Sequence, residues 1–251
     1  MTPHLFLALA LSTLIGVSLG LLGGGGSILA VPVLVYVAGV DVHAAIGMSL
    51  AVVGATALVG ALVHARGGRV DARAAVLFGG VGMLGAPLGA RATHAVAPRV
   101  LMLLFAVLML AVGASMIRRG GATRPEAPRP RPVAIPAAGF GVGLLTGFLG
   151  VGGGFLVVPA LTLLVGLPIH RAIGTSLLVI AANSAAGVAG HLARGEVPLG
   201  STAAFTAAAT LGALVGVRLA SGLDPTRLRR SFAVFVVLVG LFLLAKNALA
   251  A

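Results

Sequence analysis

The residues best placed to do chemistry in this sequence carry no charge. Two glycine runs, Gly23–Gly26 and Gly152–Gly154, each lead into a short apolar segment holding one proline, Pro32 and Pro159. Glycine lets a chain turn sharply and leaves its amide N–H groups bare. A helix that restarts after such a break aims unpaired N–H donors and a positive dipole end at the break. The backbone of Gly25, Gly26, Ser27, Gly152, Gly153 and Gly154 is therefore a candidate substrate site for a small anion, one that needs no basic side chain. The competing reading is that these glycines only let helices pack closely in a bilayer. Breaks at matching positions in two halves of a chain favour the anion site, because paired interrupted segments mark the binding sites of transporters.

Hydroxyl and amide side chains supply a second set of candidates. Ser49, Thr56, Thr175, Ser176, Asn183 and Ser184 all lie within apolar stretches. Such groups bind a solute or hydrogen-bond a neighbouring helix. Asn183 stands out, because the two N–H donors of an amide suit an oxyanion. His64 and His191 end the same stretches that His43 and His170 begin. They are candidate proton-relay groups near neutral pH, with a helix-end anchor as the plainer role. Arg91 and Arg218 mark the ends of later stretches. All five acidic residues, Asp41, Asp71, Glu126, Glu196 and Asp224, fall in expected loops or at span ends, which argues against a cation carrier. Cysteine is absent, and no metal-ligand cluster, phosphate loop or dinucleotide motif appears. The expectation is no catalytic residue, no metal and no cofactor, and so no enzyme.

The elements that must position these groups are apolar spans. Of 251 residues, 59% are hydrophobic and only 9% are charged. That is far too few charges for a water-soluble surface, since soluble domains carry about 25%. The net charge of +12 is read as basic loops fixing membrane orientation and not as a nucleic-acid surface.

The chain also repeats itself. Pro32 and Pro159, His43 and His170, and His64 and His191 are all separated by 127 residues, and Gly16–Val70 shares about 23 identities in 55 positions with its second copy. This is a duplication, with residues 1–118 as the first transmembrane repeat and 133–251 as the second. Residues 119–132 form a Pro- and Arg-rich aqueous linker. Each repeat reads as four long helices plus one short half-helix after its glycine break, an all-α membrane protein. Whether the short element crosses fully or re-enters is open. With the linker on the cytoplasmic side, five crossings per repeat place 13 of the 17 basic residues inside, against 10 for four crossings. The positive-inside rule thus favours inverted copies.

The stretches LGLLGGGGSILAVPVL and FLGVGGGFLVVPAL, each followed by a His-x-Ala-Ile-Gly-x-Ser segment, resemble the TauE/SafE family of sulfite and organosulfonate exporters. The likeness covers both repeats and nearly the whole chain. Gly20, Gly23, Gly25, Gly26 and Pro32, with Gly147, Gly150, Gly152, Gly153 and Pro159, match its glycine–proline signature. Gly24 is replaced by Val151 and Ser27 by Gly154, so the half-sites differ chemically. The resemblance implies a multi-pass carrier of sulfur-containing or related organic anions in a bacterial cytoplasmic (inner) membrane. The expected function is a secondary transporter exporting a small anion. A passive anion channel and a non-transporting scaffold subunit remain alternatives. The expected partners are the anionic substrate and the lipid bilayer, without nucleic acid. The oligomeric state is open, a homodimer included.

Overall fold

The computed structural model describes residues 3–40, 42–93, 98–118, 134–149, 154–192 and 199–249. Among them the chain forms ten α-helices and no strand. The first half holds α1 (Pro3–Leu22), α2 (Ser27–Tyr36), α3 (Val42–Arg66), α4 (Ala72–Thr93) and α5 (Pro98–Arg118). The second holds α6 (Ala134–Leu149), α7 (Gly154–Leu163), α8 (Ile169–Leu192), α9 (Leu199–Gly222) and α10 (Pro225–Leu249). Each half thus repeats a long–short–long–long–long order. The expected linker, 119–132, lies outside the described residues.

The termini of these helices follow from their sequences. A run of apolar residues broken by four glycines cannot continue as one helix, and Gly23 takes a left-handed φ of 77° that ends α1. Asp71 and Asp224 stand just ahead of α4 and α10 and cap them. Asp71 Oδ1 accepts the Ala74 N–H at 2.9 Å, and Asp224 Oδ2 accepts the Thr226 N–H at 3.0 Å. Both carboxylates therefore sit at helix ends, where the sequence puts them. α2 and α7 have 10 residues each, about 15 Å of helix, half of what a bilayer core requires.

The halves do not pack as separate bodies. α1 lies along α9, and α4 along α6, and these are the most extensive contacts in the molecule. Small residues make both seams. A Cβ at Gly16 or Gly20 would strike the carbonyls of Ala209 and Ala213, and one at Gly212 or Gly216 would strike those of Thr13 and Val17. On the other seam Gly139 meets Phe78, and Gly143 meets Gly82, through their backbones. Close backbone approach of this kind is how membrane helices associate when lipid offers no hydrophobic contrast.

α3 packs on α8, its counterpart 127 residues on, with Gly54 against Ser184 and Gly60 against Leu177. The contact positions fall on one helix as they rise on the other, so the two run antiparallel. α5 and α10 do the same, Gly113 facing Ala233 and Val237 while Gly240 faces Met109 and Ala106. By the same reasoning α1 and α9, and α4 and α6, run parallel. Phe78 and Phe205, equivalent by the same offset, are both fully buried.

Candidate functional site

The two short helices begin beside each other. Ser27 opens α2 and Gly154 opens α7, and they are equivalent under the 127-residue offset. A Cβ at Gly154 would come within 2.7 Å of Ser27 Oγ and 3.2 Å of the Gly24 carbonyl. Only one of the two positions has room for a side chain, which accounts for the Ser/Gly difference between the copies. Ser27 Oγ itself donates to the Gly24 carbonyl at 2.7 Å, and the Ser27 N–H to the same oxygen at 3.2 Å. The Leu29 N–H turns back to the Gly26 carbonyl at 3.2 Å. Part of the backbone donor set at the start of α2 is therefore held in tight local turns.

α8 supplies the wall behind the first break. Ser176 is fully buried, and its Oγ donates to the Gly23 carbonyl at 2.8 Å, with the Ile173 carbonyl also at 2.8 Å. A Cβ at Gly23 would meet Ser176 Oγ at 2.8 Å and Ile173 Cα at 2.9 Å. Glycine is required there twice over, by its left-handed φ and by the approach of α8. A Cβ at Gly25 would lie 3.0 Å from the Phe235 ring of α10. Gly26 is pressed on α1, where a Cβ would lie 2.9 Å from the Leu19 N and 3.1 Å from Leu19 Cγ. Packing alone therefore demands glycine at 26, whatever else its N–H does.

The remaining candidates divide. Thr175 is buried, and its Oγ1 accepts the Asp71 N–H at 2.9 Å, tying α8 to the start of α4. Ser49 is buried, while Asn183 is exposed. Gly20, Gly23 and Pro32 lie in or beside α1 and α2, and Gly147 and the buried Pro159 in α6 and α7. Gly150, Gly152 and Gly153 lie outside the described residues, as do the side chains of Pro32, His43, Arg91 and His191. His64 is 1% exposed, and neither ring nitrogen has a hydrogen-bond partner. The Gly20 backbone presents a hydrogen-bond acceptor to the ring, beyond 3.5 Å or off line for a formed bond. Arg218 is exposed near the end of α9.

One feature escaped the sequence reading. The seams of α1 with α9 and of α4 with α6 fix the two helices that lead to the short ones, and they rest on glycines outside the two runs. The signal was present as Gly16-x-x-x-Gly20, Gly139-x-x-x-Gly143 and Gly212-x-x-x-Gly216.

Among the described residues the fold is a bundle of apolar helices with no strand, the build of a membrane protein. The comparisons carry this to a family. Residues 8–243 match the family model for "Sulfite exporter TauE/SafE", and the chain belongs to that family. It is 38% identical over 242 residues to a "Probable membrane transporter protein" of Xylella fastidiosa strain 9a5c, covering 93% of this chain and 92% of that one. It is 24% identical over 237 residues to the "Probable membrane transporter protein YdhB" of Bacillus subtilis, covering 92% and 96%. No solved structure matches. The protein is a membrane transporter of this family.

Proposed function

We propose that this chain is a secondary transporter that exports a small oxyanion, sulfite or an organosulfonate, through a multi-pass bundle in a bacterial cytoplasmic membrane. The two repeats are inverted about an axis passing between Ser27 and Gly154. The anion sits where the short helices begin, held by backbone N–H groups around Gly25, Gly26, Ser27, Gly152, Gly153 and Gly154. Ser49, Thr175, Ser176 and Asn183 close the site. No step of covalent chemistry is involved.

The observation that carries this reading is the meeting of Ser27 with Gly154. Two helix starts converge there, and each directs a positive dipole end inward. The antiparallel pairing of α3 with α8, and of α5 with α10, supports inversion. Equivalent helices in parallel copies would run the same way. Dipoles and amides hold an anion more loosely than a buried Arg does, which suits a carrier that must let go. The family's printed description supports sulfite as the first substrate to test.

The test is purified protein in liposomes loaded with sulfite. Protein-dependent efflux, accelerated by sulfite on the opposite side through counterflow, is the expected result. Equal efflux from protein-free vesicles, for sulfite and for a panel of organosulfonates, would overturn the assignment.

A further inference from the structure

We infer that His64, Arg69 and His170 form a second anion site, a docking station between the first glycine break and the end of the bundle carrying Arg66, Arg69, Arg73 and Arg171. The inference rests on the proposed transport of a small oxyanion and names where that anion is first received.

The three groups come from one junction. α8 presses its first turns against the end of α3, and a Cβ at Gly174 would lie 2.9 Å from His64 Cβ and against the Arg69 carbonyl. His170 precedes Gly174 by four residues, so it lies on the same face of α8. The Arg69 N–H donates to the His64 carbonyl at 2.9 Å, which folds the turn after α3 back over that helix. Arg69 and His170 are both within electrostatic reach of the His64 ring.

Three imidazole nitrogens at this junction make no hydrogen bond within 3.5 Å. His64 is 1% exposed, neither of its ring nitrogens makes a hydrogen bond within 3.5 Å, and the Gly20 backbone presents an acceptor to one of them. His170 Nδ1 is likewise buried without a hydrogen bond. Buried polar atoms are nearly always satisfied, and a neutral imidazole carries one N–H donor, so the donors at this junction call for an acceptor. The nearby carboxylates are already engaged. Asp71 caps α4 and pairs with Arg171 at 3.7 Å, and Asp224 caps α10. Among the described residues Arg69 has no carboxylate partner. A cation without a counter-ion beside imidazole N–H donors accepts a compact group with many acceptors, which is what a sulfite-like oxyanion is.

The location fits a first station on a path. Ile173 and Ser176, flanking Gly174 on α8, contact Gly23 itself. An anion released from this junction is therefore one helical turn from the first break. The second half has no copy of the junction. His43 matches His170 and His191 matches His64, but Arg69 is matched by Glu196. The station therefore serves one face of the membrane only.

The experiment uses full-length protein with sulfite as the probe, read by binding calorimetry and by flux in liposomes of sorted orientation. In Arg69→Gln, the half-saturating sulfite concentration should rise at least tenfold when sulfite is presented on the Arg69 face and change less than twofold from the opposite face. Arg69→Lys should recover part of the loss, since it keeps the charge without the planar fork. His170→Gln provides an independent variant in case His64→Gln fails to fold. Unchanged half-saturation on both faces in Arg69→Gln and His170→Gln, with wild-type flux intact, would overturn the station. Equal loss from both faces would overturn it as well, because the residues would then act on the central site. Arg69-dependent sulfite binding by a wild-type protein that moves no sulfite would retain the station and remove the transport reading instead.

Discussion

Thr56 and Asn183 occupy the same position in the two copies and opposite surroundings. Ser49 and Thr56 are seven residues apart on α3, and Ser176 and Asn183 are seven apart on α8, so each pair shares one helix stripe. On α3 both are buried, Thr56 completely. On α8 Ser176 is buried at the glycine break, but two turns further along Asn183 is exposed. The helices facing them account for the difference. α3 is covered by α9 more extensively than α8 is by its counterpart, α4. One stripe is closed over its whole length, and the other opens on one side of the break. Equivalent sequence in two copies therefore fixes helix lengths and partners, while the closure between helices is free to differ. A carrier that faces one side at a time needs this kind of inequality.

The comparison breaks most severely at the seam that holds α9 in place. α9 packs on α3 and, through Gly212 and Gly216, lies directly on α1. Gly212→Val puts a branched side chain into the Thr13 carbonyl and should cost at least about 3 kcal/mol, the upper range for overpacking. The measurement is loss of monodisperse protein in detergent and a lowered thermal midpoint. Gly200→Ala, on the same helix with open space around it, should behave as wild type.

Single cysteines read the two stripes directly, because the chain has no cysteine of its own. Asn183→Cys should react with a water-soluble, membrane-impermeant thiol reagent at least about tenfold faster than Thr56→Cys, since thiol reactivity follows exposure. Labelling of Asn183→Cys by a lipid-soluble reagent alone would place that position against lipid, and the open stripe would not be an aqueous path.

These two sites also mark how far the sequence carries. All ten helices among the described residues are visible in it, and the first glycine run falls where α1 ends, because apolar run length and glycine position are local properties. The 127-residue offset identifies Ser27 and Gly154 as counterparts, and the structure puts them in contact. What the offset does not reveal is which helices meet. The pairing of α1 with α9 and of α4 with α6 depends on backbones fitting across the two halves, with signals only in the small-residue spacings. The Asp71–Thr175 tie and the burial of Thr56 depend on the same cross-packing. The exposure of Asn183 is further removed, because it depends on which helices cover α8 and not on composition.

A smaller effect concerns the ligand. Asn183→Ala should weaken sulfite binding by about 1–3 kcal/mol, the loss of a hydrogen bond to a charged partner, if the open stripe carries the anion past the amide. Asn183→Gln, which keeps the amide, should recover part of it. Sulfite affinity unchanged in Asn183→Ala would separate exposure of the stripe from contact with the substrate.

The smallest effect is also the cleanest. Thr56 Oγ1 is buried with no hydrogen-bond partner in a side chain that is 0% exposed. A hydroxyl in a helix usually bonds the carbonyl one turn back, as Thr13 does to Leu9 at 3.1 Å. An orphan hydroxyl carries the cost of leaving a polar solvent without compensation, and valine has the same shape without it. Thr56→Val should therefore raise stability by about 1 kcal/mol in the closed conformation, seen as a higher thermal midpoint. If the two stripes exchange roles during transport, opening at Thr56 becomes less favourable in this variant. Maximal flux should then fall by a small factor, about fivefold for 1 kcal/mol, while sulfite affinity stays unchanged. A midpoint that rises with flux unaltered would mean that Thr56 remains buried throughout the cycle, and the inequality between the copies would then be fixed in the fold.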